Sequence, residues 1–199
     1  MSTLAVALAP PRERSQARLA YQAACVVGGS LLVAGLAQLS IKLPFTPVPI
    51  TGQTLGILLV GASLGPGLGA LSLGLYLLEG AVGLPFFAEH SSGMDLLRFA
   101  SATGGYLWGF VLAAAMVGWL ARLGWDRSLR SAIGVFLIGE VVVYAIGVPW
   151  LMAAAHLPLQ KGLEFGLYPF VIGDTVKLFV AAGLLPAAWK VVGRGGPPS

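Results

Sequence analysis

Two ionisable residues in an apolar stretch raise the first chemical question. "YPFVIGDTVKLFVAAGLL", Tyr168 to Leu185, carries Asp174 and Lys177 three positions apart, which on a helix is one face and about one turn. A mutual salt bridge that steadies the start of a helix is one reading, with the aspartate also favoured by the helix dipole. Recognition of a polar ligand is the other. Lysine offers a point charge to a carboxylate, and aspartate accepts hydrogen bonds from N–H groups. An ion pair near an interface contributes little stability, and two isolated charges are an odd way to steady an oily bundle, so the ligand reading is preferred.

Other polar groups fall in the same class of position, beside long connections. "PFTPVPITGQT" combines three prolines with Thr46, Thr51, Gln53 and Thr54, a stiffened loop rich in hydrogen-bonding groups that suits a preorganised cap, with Phe45 as its apolar face. "GLPFFAEHSSG" offers Phe86 and Phe87 to an apolar ligand or to the membrane interface. In "SATGGYLWGF", Gly104 and Gly105 allow close backbone approach and Tyr106 brings a hydroxyl; packing through small residues is an equal reading of the two glycines. Glu79 is expected to reach interfacial water. Glu140 is expected mid-span, as a structural carboxyl bonded to another helix.

The elements that must hold these groups are membrane spans. The 199 residues are 57% hydrophobic and 10% charged, with a mean hydropathy of +0.85, whereas soluble chains carry roughly 25% charged residues. Six apolar stretches are bounded by Gly, Pro or charge: Leu19 to Ile41, Thr54 to Leu64, Gly67 to Gly83, Ala102 to Leu123, Ser131 to Met152 and Gly173 to Val192. The second and third are split at "LGPGLG", because the joint run is too long for one crossing and Pro66 between glycines is a turn. The expected fold is an all-α integral membrane protein, a compact bundle of six transmembrane helices, with residues 1–18 as a cytoplasmic leader, 19–192 as the membrane domain and 193–199 as a tail.

Basic residues test the count. Six spans put both termini on one side, which collects Arg12, Arg14 and Arg18, then Arg122, Arg127 and Arg130, then Lys190 and Arg194; the other side receives Lys42, Arg98 and Lys161. That bias makes both termini cytoplasmic, in a multi-pass protein of the cytoplasmic (inner) membrane. The net charge of +4 reflects this orientation and not nucleic-acid binding. A stripe of small residues, Ala20, Ala24 and Gly28, runs along the first helix at four-residue spacing and suits close helix packing. Cys25, the one cysteine, excludes an intramolecular disulfide and is expected to be buried.

Catalytic signatures are missing. There is no phosphate loop ending in Gly-Lys-Ser/Thr, so no ATP hydrolysis is expected in this chain. His90 and His156 have no second ligand at metal-binding spacing, and Ser63 and Ser72 have no histidine at comparable depth to activate them. Neither an enzyme nor a metal or cofactor site is expected.

The motifs "PFTPVPITGQT", "LGLYLLEGAVGLPFF", "TGGYLWGF", "YAIGVPWL" and "PFVIGDTVK" resemble, in order, those of the BioY family, the biotin-specific substrate-binding (S) subunits of energy-coupling-factor (ECF) transporters. The resemblance implies an S-component fold that captures biotin at the outer face. It implies partners too: a transmembrane coupling protein (T component) and cytoplasmic ABC-type ATPases that use ATP. By the same resemblance Asp174 and Lys177 are ligand-binding, Thr51, Gln53, Tyr106 and the Gly104-Gly105 step take recurrent positions, and the Ala20–Ala24–Gly28 stripe meets the coupling protein. The chain departs from the pattern at "RFASATGG", where Ser101-Ala102 stand in place of Gly-Pro. The alternative is a secondary transporter of biotin or another small organic acid acting alone or as a homo-oligomer, with a proton carried through Glu140.

Overall fold

The computed structural model describes residues 3–10 and 15–194; Arg12, Arg14 and residues 195–199 of the expected tail lie outside the described residues. The chain runs through α1 (Leu4–Ala7), α2 (Ser15–Ala37), a two-stranded hairpin of β1 (Ser40–Ile41) and β2 (Ile50–Thr51), α3 (Gln53–Leu64) and α4 (Pro66–Ala81). It continues through α5 (Gly104–Arg122), α6 (Leu129–Ala154), α7 (Leu159–Gly166) and α8 (Tyr168–Arg194), with two 3₁₀ turns, Ala88–His90 and Met94–Leu97, between α4 and α5.

Among the described residues four helices, α2, α5, α6 and α8, are long and apolar enough to cross a membrane. α3 has 12 residues and so covers about 18 Å at ~1.5 Å per residue, short of the ~30 Å hydrocarbon layer. α3 and α4 separate where expected: Gly65 has φ +86°, open to glycine at little cost, and Pro66 begins the next helix. The helices are apolar on their outer faces. Leu71, Leu112, Val141, Ile172, Val176 and Phe179 are all exposed, the arrangement that lipid and not water favours.

α5 lies at the centre, against α6, α3 and α4, and small residues set how closely it is approached. A Cβ on Gly61 would lie 3.0 Å from Ala114 Cα, one on Gly69 would lie 3.1 Å from Gly61 Cα, and one on Gly118 would run into the Gly65–Pro66 backbone. Such contacts bring backbones together without a hydrophobic driving force between the helices, as packing in lipid requires.

Two apolar clusters divide the bundle lengthwise. The one at the end with the long connections contains Tyr76, Phe87, Tyr106, Phe110 and Phe170. The other is built of Leu58, Val117, Phe136, Leu178 and Leu185 and also takes in Leu4. Residues 3–7 therefore belong to the packed body, since Thr3, Leu4 and Ala5 are buried, and α2 already begins at Ser15 within the stretch expected as a leader. Cys25 is half-buried and not buried.

Further differences from the sequence reading concern the last helices. α8 starts at Tyr168 and not at Gly173, which puts Asp174 and Lys177 in its second and third turns. Pro169 sits in the first turn, where its missing N–H costs nothing. The connection expected as loop before it holds α7, capped by Pro158. Gly162 packs under Met152 and Gly166 under the Tyr106 hydroxyl, while Lys161 and Glu164 pair on the exposed side at 2.8 Å.

At the basic end, the connection between α5 and α6 is anchored by a buried aspartate. Asp126 accepts a hydrogen bond from Trp189 Nε1 of α8 at 2.6 Å, and Arg127 lies over the same ring at 4.5 Å. Burial pushes the Asp126 carboxyl up, and the indole N–H opposes the shift. Replacing Trp189 with Phe removes the indole donor from the buried carboxyl; we expect a loss of about 1–3 kcal/mol, measured as a lower midpoint of unfolding in detergent.

Candidate ligand-binding site

A cavity of ≈ 250 Å³ opens at the end of the bundle that carries the long connections. Three of these connections are tied together around it. Thr46 of the β1–β2 loop donates to the Phe165 carbonyl of α7 at 2.7 Å. Lys42 pairs with Glu89 at 3.2 Å. Gln38, at the end of α2, bonds the carbonyls of Phe86 and Phe87 through Nε2, both at 3.2 Å, and accepts from the His90 N–H at 3.0 Å through Oε1. Residues far apart in sequence thus form one rim.

Asp174 and Lys177 line one wall of the cavity and are ion-paired; Asp174 is only 6% exposed. The lysine's three donors are all engaged, by Asp174, by the Thr51 carbonyl at 2.7 Å and by Thr54 Oγ1 at 2.7 Å. Asp174 Oδ1 also accepts from Thr54 Oγ1 at 3.0 Å, and Oδ2 accepts from the Tyr144 hydroxyl. A carboxylate has about four acceptor sites, and three donors occupy those of Asp174, so one remains. Lys177 gains a ligand only by giving up one of its present partners.

The remaining polar wall belongs to the start of α3. Thr51 Oγ1 donates to Gln53 Oε1 at 2.8 Å, and Gln53 Nε2 donates to the Tyr76 hydroxyl at 2.5 Å, which in turn donates to the Phe86 carbonyl at 3.3 Å. Opposite this wall the lining is apolar: Phe87, Leu96, Leu107, Phe110, Val143 and Phe170. One polar side with fixed donors and acceptors against a mostly hydrophobic lining is the usual composition of a small-molecule site.

Of the positions expected at the site, Asp174, Lys177, Thr51, Gln53 and Tyr106 are brought together around the cavity. The Tyr106 hydroxyl is already spent on the Gly166 carbonyl at 2.7 Å, so its ring, and not its oxygen, faces the space. Phe86 does not line the cavity. Phe87 does, 2% exposed and packed edge-on to Tyr76 at 5.5 Å; of two consecutive aromatics at a turn, one faces in. Phe45 sits in the turn at the tip of the β1–β2 loop, 55% exposed, and Pro47 and Pro49 line the cavity in its place. Gly104 and Gly105 lie behind the wall, where a Cβ on Gly104 would be 3.1 Å from Trp150 Nε1 and one on Gly105 would collide with the Trp150 side chain. They serve packing. At the departure from the motif, Ser101 supplies a local turn of its own: its Oγ accepts from the Thr103 N–H at 3.3 Å and its carbonyl from Trp150 Nε1 at 3.0 Å.

Glu79 differs from expectation, and Glu140 meets an acceptor of another helix where a donor was expected. Glu79 does not simply reach water; it accepts a hydrogen bond from the buried Ser30 of α2. Glu140 has no hydrogen-bond partner at either oxygen among the described residues, because its neighbour across the helix interface, Asp174, is itself an acceptor. Thr54 was expected as one of the hydrogen-bonding groups of the cap; Tyr144 was not singled out. The signal for Tyr144 was a hydroxyl in an apolar helix one turn beyond Glu140. Ala20, Ala24 and Gly28 are on the exposed face of α2, while Gly29, Ser30, Val33 and Ala37 make its intramolecular contacts.

Fold and site together define a mostly helical membrane protein with a closed base and a ligand-sized cavity at one end. The BioY family profile matches residues 11–194, and the chain belongs to that family. It is 39% identical over 142 residues to "Biotin transporter BioY" of Thermotoga maritima, covering 71% of this chain and 81% of that protein. It is 35% identical over 149 residues to the protein of the same name from Rhizobium etli, covering 71% and 78%. A crystal structure of the S-component for biotin from an ECF-type ABC transporter superposes with a TM-score of 0.77 at 27% identity, covering 86% of this chain and 92% of that one.

Tyr144 supplies a donor that holds Asp174 without lining up a charge against it. We expect Tyr144→Phe to lower stability by about 1–3 kcal/mol through the acceptor left unpaired, read from the unfolding midpoint of the purified protein.

Proposed function

We propose that this chain is the substrate-binding subunit of a biotin transporter of the ECF type. It would have six membrane helices and cytoplasmic termini, capture biotin from the outer face of the cytoplasmic membrane, and pass it on with a coupling protein and ATPases. The observation that carries the reading is the adjacency of Asp174 and Lys177 on the cavity wall. A ureido group presents N–H donors beside a carbonyl acceptor, and a neighbouring carboxylate and ammonium match that pattern in one step. A ligand carboxylate at the same place would face Asp174 directly, and like charges in a dry site repel.

The pair is in contact, so both residues meet the same end of the ligand. The ureido ring is assigned there, with Asp174 accepting its N–H and Lys177 exchanging the Thr51 carbonyl for its C=O. The apolar lining, Phe110 and Phe170 included, takes the fused rings. Lys42 at the rim is then the cation available to the valerate carboxylate, in competition with Glu89. Gln53 and Thr51 hold the wall in register. Sidedness follows from the basic residues: Arg122, Arg127 and Lys190 belong to the end opposite the cavity, which the positive-inside rule makes cytoplasmic.

The exposed Ala20–Ala24–Gly28 face supports a contact outside the chain, and a coupling protein is the partner assigned to it. The second reading, transport by this chain alone with a proton, draws on Glu140, whose carboxyl is buried and unpartnered.

Titration of purified protein with biotin is expected to show tight, saturable binding that Asp174→Ala and Lys177→Ala each weaken by about 10- to 100-fold, the range for losing a charged hydrogen-bond partner. If both variants bind as the parent does, the pair is structural and the site lies elsewhere. Proteoliposomes separate the two transport readings. Uptake is expected only with the coupling protein, ATPases and ATP present, and Ala24→Leu should abolish it while sparing biotin binding. Accumulation by the chain alone under a proton gradient would sink the ECF reading.

A further inference from the structure

Glu140 lies on α6 one turn before Tyr144, is 7% exposed, and does not line the cavity. It adjoins the Asp174 carboxyl and lies within electrostatic reach of Lys177. Asp174 is supplied with donors by Thr54, Tyr144 and Lys177; Glu140 has none among the described residues at either oxygen. An ionised Glu140 would thus be a buried charge with no hydrogen bond, and it would set two carboxylates against one ammonium whose donors are all in use. A protonated Glu140 resolves both problems at once. Its O–H takes the one acceptor site that Asp174 has left, so that a ligand N–H enters in exchange for the Thr54 hydroxyl, and the buried group is then neutral as a whole. Two adjacent carboxyls that share one proton are a stable arrangement where like charges cannot both ionise.

The ionisable groups that face Glu140 are Asp174 and Lys177 from α8 and Tyr144 from its own helix. Tyr106 of α5 stands beyond Tyr144, their rings edge to face at 6.4 Å, and from α3 the network receives Thr54, which does not titrate. Lys177 is therefore the one cation in this group, and every proton lost from the two carboxyls competes for it.

We infer that Glu140 and Asp174 hold one proton between them beneath the cavity, and that the ligand binds to the form that carries it. Glu140 is in this sense a positioning residue. While the proton is present, Asp174 and Lys177 keep the geometry that faces the cavity. When it leaves, Lys177 is drawn toward a second carboxylate and a negative charge appears behind the site of a ligand that is itself an anion. Both effects weaken binding, so affinity falls as pH rises and binding above that point takes up a proton. The ligand used here rests on the biotin reading; the shared proton does not.

The proton is tested without ligand first. Infrared spectra of the full chain in detergent at neutral pH are expected to contain a carboxylic-acid C=O stretch that disappears in Glu140→Gln; a wild-type and variant difference without that band overturns the inference. Linkage is read by calorimetric titration with biotin from about pH 6 to about pH 9, where buried carboxyls are able to deprotonate, in two buffers of different ionisation enthalpy. The wild-type Kd is expected to rise with pH, by no more than about tenfold per unit as one linked proton allows, with net proton uptake. In Glu140→Gln, whose amide donates to Asp174 without titrating, the slope and the uptake should vanish. A flat wild-type Kd without proton exchange overturns the inference whether or not the variant folds, and so does a slope that survives in the variant. Failure of the wild type to bind biotin at any pH would sink the ligand assignment instead, and the infrared result still decides the proton.

Discussion

The Asp174–Lys177 ion pair, nearly without access to water in the second and third turns of α8, is the constraint around which the cavity end is organised. Removing two charges from water costs several kcal/mol per ion, and the attraction between them repays this only when every remaining donor and acceptor is also met. The hairpin contributes the Thr51 carbonyl, α3 contributes Thr54 and α6 contributes Tyr144. Each of these segments is held where it is partly because the pair needs it. The cavity lies beside this network, which forms its polar wall.

The two ends of the bundle differ for this reason. Away from the pair, small residues let backbones meet and large ones interlock, with Gly61, Gly69 and Gly118 against backbone and Phe136 and Leu58 filling what remains. Near the pair, aromatic rings stand around a hollow, and the hydroxyls of the tyrosines among them are taken by protein partners: Tyr106 by Gly166, Tyr144 by Asp174. A closed base under a hollow end is suited to holding a molecule, and release toward the base would require α3, α5, α6 and α8 to part where they are packed most tightly.

Much of this was legible along the chain, and the reasons are local. The apolar runs, the break at Gly65-Pro66 and the one-turn spacing of Asp174 and Lys177 each depend on neighbouring residues alone. What depends on facing was harder to read. Phe86 and Phe87 are chemically identical and adjacent, so nothing in their order says which one Gly80 leaves room for. Gly104 and Gly105 look like a backbone platform for a ligand until Trp150, forty-five residues on, is found over them. Glu140 looked like a carboxyl with a partner; that its neighbour would be another acceptor depends on the rotation of α6 against α8.

Composition and the apolar runs by themselves determined that this chain enters a membrane, where its six expected helices begin and end to within a turn or so, and which charged pair lies too deep in apolar sequence to be incidental. These follow from the energetics of single residues in lipid and of single turns of helix. Only the tertiary structure decided that Lys177 is saturated while Asp174 is not, that Lys42 and Glu89 meet at the rim, that α7 covers the side of the cavity, and that Ala20, Ala24 and Gly28 face outward. Each of these is a relation between segments from forty to more than one hundred and twenty residues apart, and such relations are set by how whole helices rotate and pack, which no short stretch of sequence encodes.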